Sequence, residues 1–522
     1  MTNFLKARWQ ENPWLIILLV GVTGRLLAVM FAGGYGYHDD HFLVVEPAQG
    51  WVEGRDVNNY IIDRYEESTS GRSLLYPGVH YLLFAALDAV GVSDPLSKMA
   101  VNRLVLALYS LLIVLYGYRL ARLLAPPAQA NFVGLLLAFF WMLPQISVRN
   151  LVEVAPIPLM LLASCWVVNY AQKTKSMQVL LGVGILLGIS FSLRYQTLFF
   201  TGGIGLVYLF RRQWKETLLV AAGTLIPILL IHGLGDWLTT GLPFGKVWYY
   251  IEYNIIHATS YSTEPWYTYL LILLGVFVPP VSFFLLFGFG VSYRLNFPVW
   301  LGVVLFLVFH SYFPNKQERF IFTIIPHLLI FGYLGWYQFL QRSPRWQSYR
   351  RFRYGSWVFF WVINTIMFVL YSVYYNKRAR VEGLQYLAEQ NDVRALLMVD
   401  LHRNHTKQIP FFYLEKEVPV YEFAEGDDEQ TMLDSLYRLP TDSFPNYVVI
   451  MQRQGRDISD TPRQLSSWFA ELTYLETFRM GLVDEVRNRI NRSISLDDWV
   501  IYRAVPRDRG GRPEIESTGA SR

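Results

Sequence analysis

Two runs of ionisable residues stand out in an otherwise apolar chain. The first, YGYHDDHFLVVEPAQGW at 35–51, sets His38, Asp39, Asp40 and His41 side by side and adds Glu46. The second, FPNKQERFIFTIIPHLLI at 313–330, gathers Lys316, Glu318 and Arg319 just before an apolar stretch. A carboxylate in a partly dry cleft can take a proton from a sugar hydroxyl as its oxygen attacks. A solvated loop start is the plain alternative for Asp39 and Asp40. A metal site is a poorer reading, because His38 to His41 are adjacent and cannot all converge on one ion. The cations of the second run suit a lipid phosphate at the water–lipid boundary. An arginine holds phosphate oxygens with a fork of donors, and a lysine acts as a point charge. Their alternative is a topological flank, yet that rule places such cations on the cytoplasmic side.

Further candidates lie between these runs. Arg72, in RSLLYP at 72–77, reads as an interfacial anchor. Arg149 and Glu153, in SVRNLVEVAP at 147–156, have the i, i+4 spacing of a local ion pair. Arg194, in LRYQ, is expected on the same face. The stretch 235–271 is rich in Trp and Tyr. Such residues gather at membrane interfaces and also pack against sugars, and composition does not separate the two.

The elements that must carry these residues are membrane helices. Of 522 residues, 53% are hydrophobic, 16% aromatic and 17% charged, against about 25% charged in soluble domains. Mean hydropathy is +0.25. Apolar runs of near-spanning length predict eleven helices near 13–32, 101–124, 128–147, 154–171, 178–192, 196–211, 216–234, 267–290, 298–312, 319–341 and 356–376. With this count the basic clusters at Lys6 and Arg8, Arg119 and Arg122, Lys173 and Lys175, Arg211 to Lys215, and Arg342 to Arg353 all fall on the cytoplasmic side. The run at 76–92 would break that parity if it crossed, so it reads as a re-entrant or interfacial segment. The acidic loop 33–98, the loop 235–266 and everything after 377 then share the outer face. The N-terminus lacks a small-residue cleavage site and is expected to stay attached.

Residues 377–507 change character. ALLMVDL, VPVYEF, NYVVIM and WVIYRAV alternate with helical patterns and predict the strands of a small soluble α/β domain. The polar end, 508–522, is expected to be disordered. The single cysteine, Cys165, lies in an apolar run and excludes an intrachain disulfide. The net charge of +5 is spread through loops and suggests no nucleic-acid partner. A transporter or flippase would carry ionisable groups mid-membrane and often repeated halves. Arg25 is the clearest such group here, and no internal repeat is visible.

Taken in order, these segments resemble the membrane mannosyltransferases of glycosyltransferase family 22, the Alg9-like and GPI-type enzymes of the GT-C fold. The family's first-loop His-Pro-Asp-Glu-aromatic signature, with Glu-Pro after it, appears as His38-Asp39-Asp40-His41-Phe42 and Glu46-Pro47. Its Arg-Ser…Tyr-Pro element appears as Arg72-Ser73…Tyr76-Pro77, and its Asn…Glu turn as Asn150…Glu153. Its later outer loop appears as Asp236, Asn254 and Pro265-Trp266, and its His-Lys-Glu…Arg-Phe element as Asn315 to Phe320. Asp39, His41 and Asn315 depart from the family's proline, second acid and histidine.

The resemblance implies a polytopic α-helical membrane protein of GT-C type, with about eleven transmembrane helices at 1–376 and the soluble domain beyond. It implies inverting transfer of a sugar, mannose, from a polyprenyl or dolichyl phosphate to a glycan or lipid-linked acceptor. Asp40 takes the position of the family's catalytic aspartate, with Asp39 tuning or replacing it. Lys316, Arg319 and Arg72 would hold the donor phosphate. His38, Glu46, Arg149, Glu153, Asp236, Asn254, Trp266 and Glu318 would bind substrate, with Trp248, Tyr249 and Trp266 framing the sugar or acceptor. No cofactor or metal is expected. A lipid-linked polysaccharide polymerase or ligase would share the chemistry. With no eukaryotic targeting cue, the expected place is a bacterial inner membrane with the site facing the periplasm, or the endoplasmic reticulum in a eukaryote. All of this requires Asp40 and the cations near 318 to converge on one pocket.

Overall fold

The computed structural model describes residues 9–56, 71–174, 176–260, 263–403, 408–453, 460–490 and 497–507. Lys6, Arg8, Lys175 and the 508–522 segment lie outside the described residues. The chain divides into two compact units, with the boundary between Tyr374 and Tyr375.

The first unit is helical. Five helices are long and apolar enough to cross a membrane: Pro13–Phe31, Pro95–Leu124, Trp214–Thr240, Glu318–Arg342 and Arg350–Ser372. Six shorter apolar helices join them: Pro127–Phe139, Ile157–Gln172, Met177–Leu193, Thr197–Phe210, Val281–Arg294 and Phe297–Tyr312. Together they fall on the eleven predicted segments. Leu75–Ala89 is also helical but is not among those apolar enough to span.

Local chemistry explains the boundaries. Helix Pro95–Leu124 starts at Asp94, whose carboxylate accepts from the Ser97 amide at 2.7 Å, with proline at the first helical position. The segment predicted as one helix over 267–290 is two, Thr268–Val276 and Val281–Val291. Pro279 and Pro280 remove two amide donors there, and Val278 takes the left-handed conformation. The third segment ends early, at Phe139, with a separate turn at Leu143–Ile146.

The helices pack through small residues, as expected where lipid offers no hydrophobic drive to associate. A Cβ on Gly335 would lie 2.0 Å from the Gly288 carbonyl oxygen, and one on Gly288 would lie 2.0 Å from that of Gly332. Helices Val281–Val291 and Ile325–Arg342 therefore touch backbone to backbone. Arg25, the cation inside the first apolar helix, is held by the Ser110 hydroxyl at 3.0 Å and by the carbonyls of Gly21 and Ala138, both at 3.3 Å. It is a structural tie between helices.

The second unit carries a five-stranded sheet of order β2-β1-β3-β5-β4. Strand β1 is Leu396–Asp400, β2 Val420–Ala424, β3 Tyr447–Arg453, β4 Phe469–Phe478 and β5 Asp497–Pro506. β1 pairs in parallel with β2 and β3, and β5 lies antiparallel between β3 and β4. Four of these are the predicted strands. β4 was not predicted, because FAELTYLETF is an exposed edge with no continuous apolar run.

The glycine contacts give the first prediction. Gly335→Val must separate two helices and costs about 1–3 kcal/mol or more. It should lower the thermal unfolding midpoint of the solubilised protein in fluorescence-detected gel filtration. Gly205→Val, where a Cβ meets open space, should leave it unchanged. Equal midpoints would refute the backbone contact.

Candidate active site

The site residues lie in connections after odd-numbered apolar helices, except Arg319, which stands in the 3-10 turn that opens the tenth. Asp39 and Asp40 follow the first. They sit on a single turn, His38–Asp40, that runs into a π-helical turn at His41–Val45 and then the helix Glu46–Val52. π-turns often mark functional sites. This one is fixed from behind. His41 stacks on Tyr35 with ring centroids 4.5 Å apart, and its Nε2 lies 3.1 Å from Glu46 Oε1. His38 packs on Phe42.

Arg319 opens the 3-10 turn Glu318–Ile324. Its guanidinium donates from Nη1 to Asp40 Oδ2 at 2.8 Å and from Nη2 to Asp39 Oδ2 at 2.5 Å. Its Nε donates to Gln317 Oε1 at 2.8 Å, and its Cζ lies 5.1 Å from the centre of the Tyr37 ring. Arg72 donates from Nη2 to Asp39 Oδ2 at 3.2 Å, with Nη1 3.9 Å from Asp40 Oδ1. Arg194 donates from Nη1 to Glu153 Oε1 at 2.5 Å, and that oxygen is 3.9 Å from Arg319 Nε. Three carboxylates thus face three guanidiniums, from four separate connections.

The two aspartates differ. The Asp39 side chain is 37% exposed and the Asp40 side chain 4%. Burial pushes the Asp40 carboxyl up to about 6, helped by Glu153 and Asp39 and opposed by Arg319 and Arg72. Burial acts in the same sense on Asp39, but there Arg319 and Arg72 win and hold it below the usual range. Burial is likewise outweighed at Glu153, by Arg194, Arg319 and Arg72. Asp40 Oδ1 accepts no hydrogen bond among the described residues.

A cavity of about 440 Å³ opens onto this cluster, with Asp39, Arg72, Glu153, Arg194 and Arg319 in its wall; Asp40 is not part of that wall and joins it through its bond to Arg319. The opposite wall is the helix Gly245–Ile256, which contributes Tyr249, Tyr250, Tyr253 and Asn254. Trp248, Ile251 and Ile255 occupy its other, exposed face. Asp236 caps this helix by accepting from the Lys246 amide at 3.2 Å. Gly71 lets it close on Arg72, since a Cβ there would lie 2.7 Å from the Tyr250 nitrogen. Gln196 donates to the Tyr250 hydroxyl at 2.5 Å.

The structure therefore brings together Asp39, Asp40, Arg72, Glu153, Asn254 and Arg319, and places the other expected residues elsewhere. Lys316 is turned away, its Nζ donating to the Phe313 carbonyl at 2.5 Å. Arg149 does not pair with Glu153. It clamps the carbonyls of Gly33, Gly34 and Tyr374 at 2.9, 2.8 and 3.0 Å. Glu46 serves His41, His38 serves Phe42, and Asp236 is fully buried as a cap. Glu318 is outside the cavity wall. Trp248 and Trp266 are 62% and 66% exposed on surfaces away from it, as interfacial aromatics would be. Arg194 was noticed in sequence without a role. Tyr250 and Tyr253 were not singled out in sequence; the helical spacing of 249, 250, 253 and 254 is the signal that could have found them.

The Alg9-like mannosyltransferase family model matches residues 14–443. GPI mannosyltransferase 3 of Yarrowia lipolytica is 23% identical over 462 residues, covering 84% of this chain and 86% of that one. The alpha-1,2-mannosyltransferase ALG9 of Saccharomyces cerevisiae is 25% identical over 148 residues, 26% of each chain. Among solved structures, ArnT from Cupriavidus metallidurans bound to undecaprenyl phosphate superposes with a TM-score of 0.60 at 14% identity, covering 95% of this chain and 98% of that one. That likeness establishes the fold, which is GT-C. With the family model spanning most of the chain, the protein is a membrane glycosyltransferase that belongs to the Alg9-like mannosyltransferase family.

Proposed function

We propose that the protein moves a mannosyl group from a polyprenyl or dolichyl phosphate to a hydroxyl of a glycan or glycolipid, with inversion. The observation that carries this reading is the fork of Arg319 on Asp39 and Asp40 at the wall of a cavity that Arg72 and Arg194 also line. One site thus holds a base and a phosphate cradle. As a donor phosphate arrives, its negative charge competes with the carboxylates for the guanidiniums. Arg319 and Arg194 turn toward the phosphate oxygens, and Asp40 loses part of its counter-charge. The acceptor oxygen then bonds to the anomeric carbon as the bond from that carbon to the phosphate oxygen breaks. The acceptor proton passes to Asp40, and the phosphate leaves with the electron pair, its charge held by the arginines. Tyr249, Tyr250 and Tyr253 offer ring faces to the sugars.

We place the site on the non-cytoplasmic face, periplasmic in a bacterial inner membrane or luminal in the endoplasmic reticulum. The cavity connections follow odd-numbered helices, and the basic connections follow even-numbered ones. We also propose that no metal is needed, since guanidiniums already occupy the positions a cation would take around Asp39 and Asp40.

Reconstituted enzyme with a polyprenyl-phosphate mannose donor tests these statements. Asp40→Asn should lower kcat by about 10²–10⁴-fold while donor binding persists. If Asp39→Asn carries that loss instead, Asp39 is the base. In the wild type, kcat/KM should fall as pH drops below about 6, as Asp40 takes up its proton; a profile flat to pH 5 would remove Asp40 from the role. Transfer should survive chelation by EDTA, and a loss restored by added divalent ion would overturn the metal-free reading.

A further inference from the structure

Arg319 serves two kinds of partner. In the structure its Nη1 and Nη2 donate to Asp40 and Asp39, and its Nε donates to Gln317 Oε1. In the transfer reading above, the Nη donors pass from the carboxylates to phosphate oxygens. A guanidinium that changes hydrogen-bond partners needs a hold that consumes no donor, or it follows whichever partner it keeps.

An aromatic ring provides such a hold. Its negative face attracts the delocalised charge of a guanidinium within about 6 Å and requires none of the N–H groups. The Tyr37 ring is centred 5.1 Å from Arg319 Cζ. Phe320 is a second ring in reach, at 5.8 Å, but it is shared. Arg194 Cζ lies 5.4 Å from the same ring, and Arg194 Nη2 donates to the Phe320 carbonyl at 3.4 Å.

The chain fixes Tyr37 in this place. It enters the turn His38–Asp40 with extended backbone, φ −103° and ψ 150°. Its ring packs against the main apolar core of the helical unit. One short segment therefore brings both the carboxylates and the ring to Arg319. The turn that carries Arg319 is braced as well: the hydroxyl of Tyr269, a fully buried residue, donates to the Gln317 carbonyl at 3.2 Å. Resting on the transfer reading above, we propose that Tyr37 is a positioning residue: its ring keeps the Arg319 charge in place while the Nη donors pass from Asp39 and Asp40 to the donor phosphate.

The test grades the ring and keeps its shape. In full-length enzyme reconstituted with a polyprenyl-phosphate mannose donor, position 37 is changed by Tyr37→Phe, and then to phenylalanines carrying one, two or three ring fluorines. Each fluorine makes the ring face less negative with little change in volume, so folding is preserved. Tyr37→Phe should stay close to the wild type. Across the fluorines, kcat/KM for the donor should fall stepwise, by about two- to thirtyfold in all, while the acceptor KM holds. A residue that only fills space would give no such gradient. A flat series, a loss already complete in Tyr37→Phe, or an equal rise in acceptor KM would overturn the proposal. Asp40→Asn reports on the transfer reading separately. If it is inactive while the fluorine series is flat, only the role of Tyr37 falls; if it turns over normally, the reading falls and takes this role with it.

Discussion

The site depends on one guanidinium. Arg319 is nearly buried and bonds to both Asp39 and Asp40, with Glu153 Oε1 within 4 Å. Buried ions are costly unless each is paired and hydrogen-bonded. Here the balance is met collectively, with Arg72 and Arg194 completing three cations against three acids. Removing any member leaves a charge stranded in a half-dry wall. The same balance keeps these charged groups stable in a largely buried wall.

The remainder of the helical unit holds these groups in register. Close glycine contacts, such as Gly288 against Gly332 and Gly335, bring helix backbones together, so the connections at their ends are set by rigid supports. Arg149 spends its donors on three backbone carbonyls and fixes the chain where it leaves the first helix. The helix Gly245–Ile256 divides its faces, with tyrosines toward the cavity and Trp248, Ile251 and Ile255 outward. Such a division suits a segment lying where protein, water and lipid meet.

The distribution of ionisable groups also separates enzyme from transporter. Arg25, the cation within an apolar run, is consumed by helix packing. Three carboxylates and three arginines from the connections instead gather at one cavity. That arrangement serves a reaction at a surface.

Sequence alone determined the helical class, the eleven apolar segments and four of five strands, because hydropathy period is a local property; that Asp40 must meet the cations near 318 was only what the family resemblance required. The broken helix was not read from sequence: 267–290 reads there as one span, and the break at Pro279 and Pro280 is seen only in the folded chain. Which charges meet was decided by tertiary structure. Arg149 and Glu153 had ideal spacing for a pair, yet Glu153 found Arg194 and Arg149 found backbone carbonyls. Lys316 and Arg319 are three residues apart, but the turn at 318–324 sends one side chain into the cavity and the other away. Ion pairing in a buried wall is settled by which groups are desolvated together, and only the folded chain fixes that.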